Sequence, residues 1–222
     1  MMPRLLRPVP ALIVAGFLAV APAPAVEPVN LSVHKQEIVA YISSGEYARA
    51  VARVALDANR YLTKRIPRGA KDKKMAVVFD IDETTLTNLR HIQANDFGYV
   101  PKIWDDWVEE GQAQAIIPMQ TVYDTAVRGK VDIFFITGRT ETQRTATERN
   151  LRQVGYETWT RIYYKPVSDP QLTSAGFKTE VRRQLTRDGY VIIANIGDQN
   201  SDLANGFAER TFKLPNPFYN VR

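Results

Sequence analysis

Cysteine is absent from this chain of 222 residues. Its absence excludes disulfides, and it excludes a lipid attached through a cysteine behind a leader. A domain without such staples must hold itself together by core burial. Histidine is nearly absent: His34 and His91 stand alone, with no partner at metal-ligand spacing. Each is expected as a surface or packing residue. A strong charge of one sign is also missing. The formal net charge is +5, and it falls to +3 without residues 1–25, which hold Arg4 and Arg7 and no acid. Apart from Lys71, Lys73 and Lys74, the cations are scattered. A nucleic-acid polymer is therefore not the expected partner, whereas a mildly positive field suits a small anionic substrate. Nor is there an internal repeat or a long apolar run. The stretch from Val9 to Val20 is short of the roughly 20 residues that span a bilayer.

What is present begins with a leader. Arg4 and Arg7 precede that apolar stretch, and Ala21-Pro22-Ala23-Pro24-Ala25 follows it with small residues at alternate positions. This pattern predicts a signal peptide over residues 1–25, with Val26 as the mature N-terminus and a periplasmic or secreted location without a membrane anchor. The remainder, 26–222, has ordinary globular chemistry, since the whole chain is 45% hydrophobic and 24% charged.

Two helices are predicted near 34–43 and 46–64, separated by Gly45. Val51, Val54, Ala55, Ala58 and Leu62 fall on one face of the second. Strand-like runs then occur at 75–80, 131–137, 160–164 and 190–196, with a short one near 210–214. Helical patterns at 118–128, 141–154 and 178–188 separate them, and Gly129, Gly155 and Gly189 mark their ends. This alternation predicts an α/β fold, a doubly wound, Rossmann-like parallel sheet with helices on both faces. Residues 89–117 break the alternation. They are expected to form a small, mostly helical lobe with the N-terminal helices, from about 34–70 and 89–117. The tail Pro215-Asn216-Pro217-Phe218-Tyr219 is expected as an extended surface segment.

Chemistry concentrates where strands end. The run Met75–Phe79 leads into Asp80-Ile81-Asp82-Glu83-Thr84. Acids at i and i+2 point the same way on an extended chain, and they repel unless a cation lies between them or one is protonated. Glu83 falls on the other side of the strand, which predicts a structural role. Thr137-Gly138-Arg139 ends the second core strand, and Gly197-Asp198-Gln199-Asn200-Ser201-Asp202 ends the fourth. Ligands of open parallel sheets bind at that edge. Oxygen ligands without cysteine or clustered histidine point to Mg²⁺ rather than zinc. The Thr137 hydroxyl, the Gly138 N–H and Lys178, taken to open the last helix, are phosphate donors. A carboxylate attacking phosphorus gives an aspartyl-phosphate, and a neighbouring acid can serve the leaving alcohol and then water.

Phe79-Asp80-Ile81-Asp82-Glu83-Thr84-Thr85-Leu86-Thr87-Asn88 resembles the signature of the haloacid dehalogenase superfamily. More narrowly, it is similar to the subfamily IIIB acid phosphatases, a group that includes bacterial class B and class C enzymes and plant vegetative storage proteins. Thr137-Gly138-Arg139, Lys178 with Arg182, and Gly197–Asp202 resemble the second, third and fourth motifs, in order, over roughly residues 30–215. The resemblance implies a Mg²⁺-dependent phosphomonoesterase. Asp80 would be nucleophile and metal ligand. Asp82 would be general acid/base and offer its carbonyl to the metal. Asp198 would ligate Mg²⁺, and Asp202 would support the metal's water shell or Lys178. Thr137 would hold phosphoryl oxygens, and Lys178 would neutralise phosphate and Asp80. Lys165 also ends a strand, but Lys178 has the spacing to Gly197 of one helix plus one strand and is preferred. His91 stands where many members carry tyrosine. His91, Trp104, Trp107 and Arg139 are candidate substrate contacts, with an ion pair within the loop as the equal alternative for Arg139. The aromatics Phe97, Tyr99, Trp104 and Trp107 suit either a nucleoside monophosphate or the lobe's own core. Asp105, Asp106, Glu109 and Glu110 are expected to be a solvated helix face. The rival readings are a silent storage or ligand-binding relative and a phosphotransferase using the same site. Asp at position 80 keeps the nucleophile in place.

Overall fold

The computed structural model describes residues 27–168 and 171–221. The expected leader and Val26 lie outside the described residues. Helices α1 (Leu31–Ser43) and α2 (Glu46–Arg65) come first, joined through Gly45 at φ 74°. Asn30 caps α1 by accepting a hydrogen bond from Ser32 N at 2.8 Å. On α2, Tyr47, Val51, Ala55, Ala58 and Leu62 are buried, one stripe with Val54 partly buried beside it, as its periodicity predicts.

Strand β1 (Lys74–Phe79) is the centre of the molecule. The short strands β2 (Leu86–Thr87) and β3 (Gln114–Ala115) pair antiparallel and close the base of the insertion, which carries helices α3 (Leu89–Ala94) and α4 (Pro101–Glu110). The core then runs α5 (Ile117–Arg128), β4 (Asp132–Thr140), α6 (Arg144–Gln153), β5 (Arg161–Lys165), α7 (Ser174–Arg187), β6 (Tyr190–Gly197), α8 (Asn200–Leu203) and β7 (Thr211–Lys213). The five-stranded sheet has the order β5-β4-β1-β6-β7, and every pairing is parallel. The chain moves outward from β1 to β5 and then crosses to β6 on the other side. The switch in direction lies beside β1, where a ligand crevice opens.

Alternating residues of β1 feed two cores. Val77 and Phe79 join the face covered by α2, α5 and α6, through residues such as Leu62, Val122 and Leu151. Ala76 and Val78 join the face covered by α7, through Phe177, Val181 and Leu185. Strands buried on both faces need the continuous apolar runs that the sequence carries.

Three expectations are corrected here. Helix α2 packs on α5 and against β6 and β7, so it belongs to the layer over the sheet and not to a small lobe. The insertion reaches the N-terminal helices through α1 instead, where Lys35 pairs with Asp96 at 2.5 Å. Helix α7 begins at Ser174, so Lys178 lies in its second turn rather than at its start. Thr173 caps it by accepting from Gly176 N at 3.0 Å. The tail does run largely over the surface, but Phe218 departs from that: it is buried, with its ring 5.1 Å from Tyr47. The acidic face of α4 is exposed as expected.

Candidate active site

Each functional segment is delivered by a strand end. Asp80 follows β1 directly, and its N–H donates to Ile196 O at 2.9 Å, so it stays in register with β6. The loop after it turns sharply, with Glu83 at φ 53°. Thr85 Oγ1 ties the turn back to Asp80 O at 2.6 Å. On the next strand, the β4–β5 register shifts between Thr137 and Thr140, so Gly138 and Arg139 bulge out of the ladder. The bulge sends Arg139 across to Asp82, with Nη2 to Oδ1 at 2.7 Å and Nε to both oxygens at 3.1 and 3.2 Å. Beyond β6, Gly197 brings its backbone so near Asp202 that an added Cβ would lie 2.4 Å from the Asp202 Cβ. Only glycine permits that approach.

Asp80, Asp198 and Asp202 converge there. One carboxylate oxygen from each lies within 4.8 Å of the others, and all three residues are buried. Lys178 donates to Asp80 Oδ1 and, at 2.7 Å, to Asp202 Oδ1. Asp198 is held by Thr84 Oγ1 at 3.0 Å, Gln199 Nε2 at 2.7 Å and Asn216 Nδ2 at 2.6 Å. Arg182, fully buried in the turn after Lys178, donates to the carbonyls of Asp202 (2.6 Å) and Gly206 (3.1 Å) and props the loop from behind.

The electrostatics follow. Three buried carboxylates share one ammonium. Burial raises the Asp80 carboxyl well above its usual range, and the neighbouring acids add to that against the pull of Lys178. Burial and Asp202 raise Asp198 as well. Burial alone would lower the Lys178 ammonium, but Asp80 and Asp202 outweigh it and keep it charged. A cluster with this surplus of negative charge, built from oxygen donors alone, fits a hard divalent cation.

The cluster floors a cavity of about 560 Å³. His91, Phe97, Tyr99 and Trp104 line it from the insertion, and Phe218, Tyr219, Asn220 and Val221 line it from the tail.

A family model of the haloacid dehalogenase superfamily, subfamily IIIB (acid phosphatase), matches residues 20–222. The chain belongs to this family. Among relatives of this subfamily IIIB chain, acid phosphatase 1 of Solanum lycopersicum is 32% identical over 82% of this chain and 72% of its own. A stem 28 kDa glycoprotein of Glycine max is 38% identical over 67% of this chain; the match spans 61% of the soybean protein, under two thirds of its length. The solved class C acid phosphatase of Bacillus anthracis superposes with a TM-score of 0.69 at 27% identity, over 86% of this chain and 87% of that one.

The subfamily IIIB motifs thus meet in space, with three adjustments to the expected site. The Asp82 carboxylate, expected as acid/base and not as a metal ligand, stands outside the acidic cluster and is engaged by Arg139 and by Asn88 Nδ2 at 2.9 Å. Thr137 is fully buried and is not a wall of the cavity; its Oγ1 accepts from Arg139 N at 3.1 Å, which leaves its O–H free to donate. Gly138 does line the cavity. Trp107 stands one layer back, giving its N–H to Asn88 Oδ1 at 2.8 Å and stacking 5.3 Å from His91, while Trp104 and His91 face the cavity. Arg139 pairs with Asp82 across two loops, and its guanidinium lies 5.6 Å from the Trp104 ring.

The sequence pattern missed Asn88, Asn216 and Tyr219. Tyr219 turns its hydroxyl onto Glu83 Oε2 at 3.0 Å, although 36% of the residue is exposed. Glu83 is fully buried and pushed up to about 8 by burial, then by Asp82 and Asp198. Its Oε1 accepts from Asn88 N at 2.5 Å, so it ties the loop to the tail as a structural residue. The Asn88 position closes the first motif and was the one available signal.

Proposed function

We propose that this chain is an exported, Mg²⁺-dependent phosphomonoesterase working through an aspartyl-phosphate on Asp80. The observation that carries the reading is the buried meeting of Asp80 with Lys178, Asp198 and Asp202 on the floor of one cavity. In the first step a carboxylate oxygen of Asp80 attacks phosphorus, the P–O bond to the leaving group breaks, and Asp82 gives its proton to the leaving alcohol. In the second, Asp82 takes a proton from water, the hydroxide attacks phosphorus, and phosphate leaves with Asp80 restored. Lys178 and the Gly138 N–H bind phosphoryl oxygens, Arg139 orients Asp82, and Thr137 braces the bulge by accepting from the Arg139 N–H. Asp80, Asp198 and the backbone at Asp82 would hold the cation, with Asp202 supporting Lys178. When bound, the cation offsets the charge shared by nucleophile and phosphoryl group.

Trp104 and Tyr99 on the cavity wall support nucleoside monophosphates as substrates, since stacking on one ring is worth about 1–3 kcal/mol. Export rests on the leader pattern at residues 1–25 and is read out as a mature chain beginning at Val26.

One panel tests the reading: wild type and Asp80→Asn, with and without EDTA, on adenosine monophosphate, glycerol phosphate and 4-nitrophenyl phosphate. Wild type should turn over with metal and stop without it, and Asp80→Asn should fall at least about a thousandfold while keeping its fold. Undiminished rates in metal-free protein, or in a deamidation-free Asp80→Asn, reject the mechanism. Equal kcat/KM for the first two substrates rejects the stacking role.

A further inference from the structure

Three cations line the catalytic cavity: Arg139, Lys165 and Lys178. Two are matched by acids, Arg139 by Asp82 and Lys178 by Asp80 and Asp202. All four cavity acids lie at the catalytic floor, and three of them account for those pairs. Lys165 has no hydrogen-bond, ion-pair or ring partner among the described residues. It is half-buried and is the last residue of β5, beside Thr140 where the β4 bulge ends.

Its position separates it from the scissile phosphate. Strand β5 is the sheet edge, two strands from β1. At roughly 4.8 Å per strand, its end stands about 10 Å to the side of Asp80. The phosphoryl site at Asp80 already has its lysine in Lys178.

A second polar group lines the cavity. Ser174 opens α7, a helix of 14 residues, and is only 5% exposed, yet it lines the cavity. Among the described residues its hydroxyl has no hydrogen-bond partner; the N-cap bond is made by Thr173. The positive end of the helix dipole lies here too. An ammonium and a hydroxyl without partners among the described residues, beside a helix N-terminus, together suit an anion.

We propose that the preferred substrates carry a second anionic group, a phosphate or carboxylate, a sugar-sized spacer away from the scissile phosphate, and that Lys165 and Ser174 bind that group. This rests on the phosphomonoesterase reading and narrows its substrate class: a nucleoside monophosphate lacks the second anion, so among nucleotides a nucleoside bisphosphate would be preferred.

The test uses the full mature chain with Mg²⁺. The kcat/KM ratio for fructose 1,6-bisphosphate over fructose 6-phosphate is measured, with 4-nitrophenyl phosphate followed in parallel. Wild type should favour the bisphosphate at least tenfold. Lys165→Gln should lower that ratio about tenfold, chiefly through KM, and Ser174→Ala should lower it severalfold. Lys165→Glu should invert it, a result that loss of fold cannot imitate because both substrates meet the same protein sample. A wild-type ratio near one overturns the proposal. So do Lys165 variants that slow both substrates equally, which would place Lys165 at the scissile phosphate. If wild type hydrolyses none of the three, the phosphomonoesterase reading itself fails, and that outcome is distinct from a ratio near one.

Discussion

Asp198 takes a hydrogen bond from a residue eighteen positions downstream. Asn216 Nδ2 and Gln199 Nε2 both donate to its Oδ2, and Thr84 donates to its Oδ1. These bonds orient a carboxylate that burial would otherwise neutralise. Groups that orient a metal ligand commonly carry ten- to a hundredfold in metal affinity. Asn216→Ala should therefore weaken Mg²⁺ activation by about that factor while kcat at saturating metal changes less. A metal titration of activity checks this, and an unchanged half-saturation point would show that Asn216 only braces the tail. At this scale the sequence was readable where residues are near in the chain. Asp80 and Asp82 announced themselves by strand-end spacing, and Gly197–Asp202 by its two acids. Asn216, Tyr219 and the pairing of Arg139 with Asp82 depend on contacts across 18 to 136 positions, and local pattern carries no trace of them.

Among the elements, the core strands and helices were legible because burial on two faces leaves continuous apolar runs. The tail was not, since Pro215 and Pro217 remove any periodicity and leave Phe218 as a lone hydrophobe. That ring nevertheless packs between Tyr47 of α2 and Phe97 of the insertion, at 5.1 and 6.4 Å. Phe218→Ala should cost about 3 kcal/mol of stability, the scale for truncating a buried phenylalanine. It should also raise KM more than it lowers kcat, because the tail is a cavity wall and not a reacting group. Denaturant unfolding with steady-state kinetics tests both; a variant of wild-type stability would mean the tail is not packed in solution. The start of α7 was misplaced for a different reason. Gly176 lowers helix propensity in the first turn, but the Thr173 cap marks the true start. Placing Ser174 on the helix turns it into a cavity residue. Helix α2 shows the limit of pattern: its buried stripe was correct, but a stripe does not say which surface it meets.

The whole molecule separates catalysis from scaffold across the sheet. Acids gather at the C-terminal edge of the strands. Away from them, Arg65 at the end of α2 clasps Glu209 just before β7, with Nε to Oε2 at 2.7 Å and Nη2 to Oε1 at 2.8 Å. The Arg65 hydrogen bonds hold the Glu209 carboxyl below its ordinary value of 4.5, with a further bond from Tyr61. A depressed folded value means the clasp stabilises fully above the ordinary value and is lost as pH falls through the lowered one. Glu209 is more than a third exposed, so the effect is about 1 kcal/mol or less after solvent screening. Glu209→Gln should lower the Tm at neutral pH by a few degrees, with the gap closing as the pH falls through the carboxyl's lowered value. A gap independent of pH would assign the loss to packing rather than to the ion pair.

The phosphorylated enzyme itself tests Asp80 most directly. Mature protein with Mg²⁺ is mixed with substrate, quenched in acid within the first turnover, digested and examined by mass spectrometry. The peptide containing Asp80 should carry one added phosphoryl group, assigned by fragmentation to Asp80 and absent from Asp80→Asn. A burst of product with that peptide unmodified, or with the phosphoryl group on another residue, would contradict covalent catalysis by Asp80.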